Sequence, residues 1–394
     1  MDRNNAPLIP SDTPWLANPQ AQAVCDALTG AGHVVYFVGG CVRNALLGVP
    51  VSDVDLSTDA LPDDVIAITE RAGLKAVPTG IEHGTVTIVS GGEPFEVTTF
   101  RRDVETDGRR AVVAFSTDVS EDARRRDFTM NAIYATPDGQ IIDPLGGLDD
   151  LHARRFRFIE DAGQRIREDY LRTLRYFRFH ALYADPAVGF DRDALDAIAS
   201  NLGGLETLSA ERVGSELTKL LGAFDPAPSL AGMRQTGVMN AVLPSTDDRW
   251  IGPLAHMEQA LELSPNWIGR LVALGGDDPT KRLRLSKADT RMYHSIKDAA
   301  FGSSRLNAIA YREGSEVARQ ALLLRSVLAE QVPEPTVLAA IESASNKVFP
   351  IAAADLMPDV EGPALGSRLA DLKERWVASD FTMTRGELLA LPKE

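Results

Sequence analysis

Two aspartates one residue apart are the most chemically suggestive feature of the sequence. Asp53 and Asp55 lie in "SDVDLS", where polar residues alternate with Val54 and Leu56. On a β-strand this alternation places both carboxylates on one face, with their Cα atoms about 7 Å apart. Two such carboxylates can bind Mg²⁺, which takes oxygen ligands and completes its shell with water and substrate phosphates. Aspartate pairs of this kind also cap helices and close turns, so the pair alone leaves both interpretations open.

A glycine pair precedes these aspartates. The run "VVYFVGG" predicts a strand that ends at Gly39 and Gly40, and "CVRNALLG" predicts a short helix after it. Glycine lets a phosphate group approach the backbone closely, and the first turn of a helix offers N–H groups without intrahelical partners. Arg43 lies in that first turn, where a cation opposes the helix dipole, so its position favours a phosphate partner. Many strand–helix turns nevertheless use two glycines without binding a ligand.

The segment "RRRDFTMNAIY" is a further candidate for nucleotide binding. Its second half predicts a buried element, so the arginine triplet lies at the entrance of that element. Asp127 and Asn131 can orient a sugar or an amide there, or Asp127 can cap a helix within a salt bridge. Glu96, in "PFEVTTF", is expected on a strand beside Asp53 and Asp55, and it is a candidate third carboxylate.

Arginines at three-residue spacing characterise the helix predicted in "REDYLRTLRYFRFHALYA". At 100° per residue its apolar residues share one arc, whereas Asp169, Arg172 and Arg175 lie on the opposite side and Arg178 at the margin. Like charges at this spacing repel one another unless an anionic or planar group lies along them. Asp169 and Arg172 together offer acceptor and donor edges suited to reading a base. An exposed helix with salt bridges is the alternative interpretation.

These candidates fall in two regions of different secondary structure. Short branched or aromatic runs, separated by Gly, Pro and Asp turns, predict a mixed sheet with helices between its strands. After Leu151 nearly every segment has helical spacing. We therefore predict an α+β protein with a leader and one helix over 1–29, a small mixed-sheet head over 30–150, a helical neck over 151–222 and a helical body and tail over 223–394.

Composition limits the class of protein. The chain has 394 residues, enough for two to four domains, and no apolar run of about 18 residues that could span a membrane. No signal peptide is indicated, and two cysteines suit a reducing compartment, so we expect a cytoplasmic protein without a membrane partner. The net charge of −15 argues against a generic nucleic-acid binder, but residues 151–180 hold eight arginines against four acids. A polyanion partner is thus expected at the middle of the chain, and no prediction of oligomeric state follows.

Seven motifs in a fixed order resemble those of the class II tRNA nucleotidyltransferases, which are the CCA-adding enzymes, relatives of the bacterial poly(A) polymerases. The motifs are "GGCVRNALLG", "DVD", "GIEHGTVTIV", "EVTTFRRD", "RRRDFTMNAIY", "DPLGGLDDL" and "REDYLRTLRYFRF". The resemblance is densest from Val35 to Leu221. It implies a polymerase-β-like nucleotidyltransferase head and template-independent, Mg²⁺-dependent transfer of CMP, CMP and then AMP from CTP and ATP to the 3′ end of tRNA, with release of pyrophosphate.

The resemblance also implies roles for residues in the head. Asp53 and Asp55 match the metal-binding pair, and Gly40 and Arg43 match the contacts to the nucleotide phosphates. Asn44 departs from the pattern, since the family usually has Asp after the Val-Arg dipeptide. Any role of that position as a carboxylate is therefore lost.

Further roles are implied for the nucleotide itself. Asp127 matches a residue near the sugar, and Asp169 and Arg172 match the amino-acid template that selects CTP and then ATP. Arg175 and Arg178 match arginines that continue along the same helix toward phosphate.

Three other functions share much of this pattern. Poly(A) polymerases usually carry a long basic extension, whereas residues 331–394 here contain six basic and ten acidic residues. An enzyme that adds only A or only CC has every motif named above. A catalytically inactive tRNA-binding homologue is a further alternative, which the intact aspartate pair argues against.

Overall fold

The computed structural model describes residues 8–107, 110–185 and 187–392 and divides into two compact units. The first unit contains the described residues up to Glu216 together with Pro228–Val242, and the second contains Leu217–Ala227 and the chain from Leu243 onward. The first unit holds all the strands of the described residues, and the second is helical. The predicted α+β architecture, a mixed-sheet head followed by helices, is confirmed.

Seven strands of the described residues form one mixed sheet in the first unit. They are β1 (Val35–Val38), β2 (Asp55–Thr58), β3 (Lys75–Gly80), β4 (Thr85–Ser90), β5 (Glu93–Thr99), β8 (Tyr134–Ala135) and β9 (Ile141–Ile142). Their order across the sheet is β3-β4-β5-β2-β1-β8-β9, with β2 and β5 parallel and the other neighbours antiparallel. A separate two-stranded sheet pairs β6 (Arg101–Asp107) with β7 (Arg110–Phe115).

The end of β1 determines where β2 begins. The last pair of the β1–β2 ladder joins Val38 to Asp55, because the chain leaves the sheet at Gly39, whose φ of 73° is a left-handed conformation that favours glycine. Asp53 therefore precedes β2 and has no partner in this ladder. The prediction that both aspartates lie on one strand is wrong for Asp53 and right for Asp55.

Helices make up most of the remaining chain. In the first half these are α1 (Pro19–Gly30), α2 (Gly40–Leu47), α3 (Pro62–Arg71), α4 (Val119–Arg124), α5 (Gly147–His152), α6 (Ala162–Glu168), α7 (Leu171–Tyr183), α8 (Arg192–Ser200), α9 (Ala210–Leu221), α10 (Ala227–Gln235) and α11 (Val238–Val242). Helices α1 and α3 pack against each other and against the sheet.

The single helix predicted around the arginine repeat is in fact two helices, α6 and α7. Asp169 has an extended backbone between them (φ −152°, ψ 105°), and its carboxylate accepts a hydrogen bond from the Leu171 amide at 3.1 Å. This local bond stabilises the break, since aspartate readily satisfies nearby backbone donors. Along α7 the predicted apolar arc is buried, including Leu171, Leu174 and Phe177.

The second unit is helical, and an aromatic core lies in its C-terminal part. Its later helices are α12 (Ile251–Ala260), α13 (Trp267–Leu274), α14 (Pro279–Arg282), α15 (Lys287–Phe301), α16 (Leu306–Glu313), α17 (Ser315–Leu328), α18 (Thr336–Ser345), α19 (Pro363–Ala378) and α20 (Arg385–Leu389). Trp376 packs edge-on against Tyr311 and Phe381 in this core. No helix within the described residues is both long and apolar enough to cross a membrane.

Candidate nucleotide and metal site

Three carboxylates lie together at the edge of the sheet where the central strand β2 begins. Asp55 opens β2 directly opposite Glu96 on the parallel strand β5, and Asp53 lies two residues before Asp55. All three are exposed and line one open pocket of about 670 Å³, which Trp15 and Asn18 also line. Glu96 is thus a neighbour of Asp55, as the sequence predicted.

The surroundings of Asp55 disfavour its ionisation in the absence of a cation. Partial loss of hydration raises the pKa of Asp55 most, the charge of Glu96 raises it further, Arg126 opposes the shift, and Asp53 adds to it. Crowded carboxylates of this kind are stabilised by a bound cation. In the described part of the chain no three His, Cys, Asp or Glu side chains converge on one metal position. The carboxylate pair therefore fits a divalent cation that takes its other ligands from water and substrate.

Arg43 is a buried cation without a carboxylate partner. Its side chain is only 5% exposed, and its guanidinium donates to the side-chain oxygens of Asn44, Asn131 and Tyr183. The ring of Tyr183 lies 4.3 Å from the guanidinium carbon, and among the described residues Arg43 makes no ion pair. Burial lowers the pKa of Arg43 below its ordinary value. A buried charge with neutral partners favours an anionic ligand.

Asn44 connects Arg43 to the loop that leads to the aspartates. Its Oδ1 accepts from Arg43 Nη2 at 2.8 Å and from Nε at 3.1 Å, while its Nδ2 donates to the Pro50 carbonyl at 2.7 Å. Aspartate at this position would keep the acceptor and lose the donor. The asparagine that departs from the family pattern therefore orients Arg43 without neutralising it.

Asp127 and Asn131 lie side by side in the buried turn that follows α4. Asp127 Oδ1 accepts from Asn131 Nδ2 at 2.9 Å, and its Oδ2 accepts from Arg175 Nε at 2.7 Å. Burial opposes ionisation of Asp127, but Arg175 and the Asn131 amide outweigh this effect and hold its pKa below the usual range. Because Asn131 also accepts from Arg43, a chain of side-chain bonds connects α2 to α7.

The arginines of α7 are compensated within the protein. Arg172 pairs with Glu168, Arg175 with Asp127, and Arg178 with Glu216 on α9. These carboxylates are anionic groups of the kind that the arginine spacing led us to expect beside the helix. The arginine repeat therefore forms salt bridges within the protein, as the alternative interpretation proposed. The three side chains remain partly accessible.

Asp169 and Arg172 do not bond to each other through their side chains in the described contacts. Asp169 Oδ2 accepts from Arg212 Nη2 at 2.6 Å. Arg172 donates to Glu168 and to the carbonyls of Arg165 and Arg125. Each member of the proposed base-reading pair is thus held by a separate partner.

Sequence reasoning missed Arg126. Its Nε donates to the Tyr134 hydroxyl and its Nη2 to the buried Asp122, and its Nη1 lies 3.5 Å from the point where a Cβ on Gly39 would stand. Arg126 therefore places a cation beside the glycine turn, close enough to Asp55 to lower its pKa. The sequence showed three consecutive arginines, and nothing in it distinguished the one that points toward the site.

Fold and site together define the class of the protein as a nucleotidyltransferase. A family model described as the poly A polymerase head domain matches residues 35–157, and one described as a probable RNA and SrmB-binding site of polymerase A matches residues 189–249. The chain is 34% identical over 390 residues to the mouse (Mus musculus) mitochondrial CCA tRNA nucleotidyltransferase 1, a match that covers 92% of this chain and 87% of the relative. The chain therefore belongs to the CCA tRNA nucleotidyltransferase family.

Two further similarities involve bacterial CCA-adding enzymes. The enzyme of Geobacillus stearothermophilus is 41% identical over 247 residues, which are 62% of this chain and 57% of the relative. The crystal structure of the Bacillus stearothermophilus enzyme in complex with CTP is similar with a TM-score of 0.73 and 28% identity, covering 92% of this chain and 93% of that one.

The Asp127–Arg175 ion pair leads to a prediction about stability. Asp127→Asn leaves Arg175 without its carboxylate, and we expect a loss of about 2–3 kcal/mol in the free energy of unfolding at pH 7, less than for a fully buried pair because the Arg175 side chain is 33% exposed. Since the pKa of Asp127 is depressed in the folded protein, the pair contributes fully above the unfolded value of about 3.9, and this contribution disappears as the pH falls through the lower folded value.

Urea denaturation of the wild type and of Asp127→Asn between pH 7 and pH 3 measures this effect. The exposed Asp149→Asn is the matched control, and it should change stability by less than about 0.5 kcal/mol. Equal stability of the wild type and Asp127→Asn at pH 7 would contradict the prediction.

Proposed function

We propose that this chain adds CCA to the 3′ end of tRNA, using CTP and ATP as substrates and releasing pyrophosphate. The observation that carries the proposal is the uncompensated Arg43 at the glycine turn, which lies in the same unit as the Asp53–Asp55–Glu96 edge and the α7 arginines. The names of the mouse and Geobacillus relatives describe the same activity.

The triphosphate of the incoming nucleotide is proposed to bind at the Gly39–Gly40 turn. Glycine keeps this turn free of side chains, and the first N–H groups of α2 point out of the helix toward an anion. Arg43 supplies a charge that no carboxylate of the described residues neutralises, and Arg126 supplies a second cation on the side of Asp55. In a partly dehydrated site these charges orient the phosphates more strongly than they would in water.

Asp53 and Asp55 would hold Mg²⁺, with Glu96 adding negative potential beside Asp55. When bound, the metal lowers the pKa of the primer 3′-hydroxyl and stabilises the leaving pyrophosphate. The protein's part is to keep Asp55 exposed at the start of β2 and Asp53 exposed just before it, next to the turn proposed to hold the phosphates. The raised pKa of Asp55 supports cation binding at this edge.

The base and sugar are proposed to lie along α7 and the buried turn that follows α4. Asp127 and Asn131 orient the sugar, Asp169 and Arg172 offer hydrogen bonds to the base edge, and Arg175 and Arg178 continue toward phosphate. Both template residues have fixed partners, Arg212 for Asp169 and Glu168 for Arg172. Such partners preorganise the donors and acceptors, which favours discrimination against bases that leave them unpaired.

The roles proposed for the three regions follow their order in the chain. Residues 30–150 form the catalytic head, residues 151–222 form the neck with the nucleotide-selecting helix, and residues 223–394 form the body and tail that bind tRNA. We also propose a cytoplasmic location, since Cys25 and Cys41 are both free thiols, although the mouse relative is named as mitochondrial.

Ordered nucleotide addition tests the proposed function. Purified protein and Mg²⁺ are incubated with tRNA transcripts that end before CCA, after C or after CC, with each nucleoside triphosphate alone and with CTP plus ATP. We expect stepwise addition that stops at CCA. A long A tract indicates a poly(A) polymerase, addition of only A or only CC indicates a partial specialist, and absence of any addition contradicts the enzymatic function.

Removal of the metal site should abolish transfer. We expect no detectable addition by Asp53→Asn or Asp55→Asn, or by the wild type in excess EDTA, and recovery of the wild type when Mg²⁺ is restored. Glu96→Gln should reduce the rate by about 10- to 100-fold, as is typical for groups that support metal ligands. Single-turnover addition of CMP measures these rates, with Glu93→Gln on the same strand as the control. Full activity of Asp55→Asn would contradict the metal assignment.

Base selection is expected to depend on Arg172. Arg172→Ala should lower the preference for CTP over UTP and GTP by about 10- to 100-fold, which corresponds to one bidentate contact. The ratio of kcat/KM values for the competing nucleotides on tRNA lacking CCA measures this preference. Arg167→Ala, which removes an arginine of the neighbouring helix α6 with a 58% exposed side chain, is the control. An unchanged ratio in Arg172→Ala would show that another residue reads the base.

A further inference from the structure

The most basic short stretch of the chain lies in the second unit, outside the regions matched by the family models. Residues 281–297, "KRLRLSKADTRMYHSIK", contain six basic residues and one acid, in a protein with a net charge of −15. They form the end of α14, a short turn and the first three turns of α15. Acidic residues flank the stretch, with Asp277 and Asp278 before it and Asp298 after it.

Four exposed cations of this stretch have no carboxylate partner among the described residues. Lys281, Arg282, Lys287 and Arg291 make no side-chain hydrogen bond or ion pair there. Most other arginines of the second unit form ion pairs, and Arg305 and Arg325 donate to backbone carbonyls. Ion pairs are formed by Arg249, Arg270, Arg312, Arg319, Arg368, Arg375 and Arg385. In an acidic unit, unpaired cations at adjacent positions are therefore a specific feature of this surface.

Helix α15 directs Lys287 and Arg291 away from the core of the protein. Lys287 and Arg291 are one turn apart, opposite the buried arc that contains Tyr293 and Ile296. The only acid within the stretch, Asp289, accepts from the hydroxyl of Ser286, which caps the helix. Its carboxylate is thus engaged away from the Lys287–Arg291 face.

Lys287 and Arg291 do not stabilise α15 by their charges. Cations near a helix N-terminus oppose its dipole, and like charges four residues apart repel each other by a few tenths of a kcal/mol. By contrast, the arginines of residues 151–180 that looked like the polyanion surface in the sequence are largely paired, for example Arg155 and Arg157 with the buried Asp150. Helices α14 and α15 therefore carry a group of exposed cations that remain available to a polyanion.

We infer that Lys281, Arg282, Lys287 and Arg291 form a phosphate-contacting surface for the tRNA backbone. The inference rests on the proposed function, which supplies tRNA as the polyanion, and it adds a contact surface distant in sequence from the nucleotide site. Lysine and arginine that neutralise phosphates release counterions, so such a surface contributes affinity without base specificity and weakens as salt rises.

Salt-dependent tRNA binding tests this surface. Fluorescence anisotropy with tRNA lacking CCA is measured from 50 to 300 mM NaCl for the wild type, Lys287→Gln/Arg291→Gln and Lys281→Gln/Arg282→Gln. We expect each double variant to bind tRNA about five- to tenfold more weakly at 100 mM NaCl and to reduce the slope of log K against log salt by about 1–2. Lys347→Gln/Lys373→Gln removes the same charge from exposed lysines of the same unit, and it should match the wild type.

Two further measurements separate this inference from folding defects and from the proposed function. The affinity for CTP and the thermal unfolding midpoint should stay at wild-type values, and CCA addition at saturating tRNA should keep its kcat. Wild-type tRNA affinity and slope in both basic variants would overturn the inference while leaving the enzymatic function intact. Loss of binding to vesicles containing phosphatidylserine, with tRNA binding unchanged, would also overturn it and assign the surface to a membrane. If one double variant fails to fold, the other gives the result.

Discussion

A chain of buried side-chain bonds from Arg43 through Asn131 and Asp127 to Arg175 is the interaction on which the site depends. It connects the glycine turn of the sheet to helix α7, so the group proposed to bind the phosphates and the helix proposed to read the base share one frame. Each member is partly or wholly removed from water, where hydrogen bonds are strong and unpaired polar groups are costly. This coupling joins the motifs "RRRDFTMNAIY" and "REDYLRTLRYFRF" through the Asp127–Arg175 bond.

The arginines along this frame differ in whether a carboxylate compensates their charge. Asp127 and Glu216 compensate Arg175 and Arg178, whereas Arg43 has only neutral partners among the described residues. A compensated arginine costs little to bury and holds its orientation, and an uncompensated one retains attraction for an anion. Asn44 preserves this difference, because a carboxylate at its position would add a negative charge beside Arg43.

The opposite imbalance exists at the sheet edge. Partial loss of hydration and the charges of Glu96 and Asp53 raise the pKa of Asp55, and Arg126 offsets this only in part. One end of the pocket therefore favours a cation and the turn beside it favours an anion. A metal–triphosphate complex satisfies both, which links the composition of the site to nucleotidyl transfer.

The sequence by itself determined the architecture and the residue types of the site, because both depend on local pattern. Strand and helix periodicity predicted a mixed-sheet head followed by helices, and the ordered motifs identified the family. Tertiary structure alone decided which charges remain available. It began β2 at Asp55 because β1 turns away at Gly39, and it broke the arginine helix at Asp169. It also paired the arginines of α7 while leaving Arg43 without a carboxylate, since ion pairing depends on residues far apart in the chain, which no local pattern specifies.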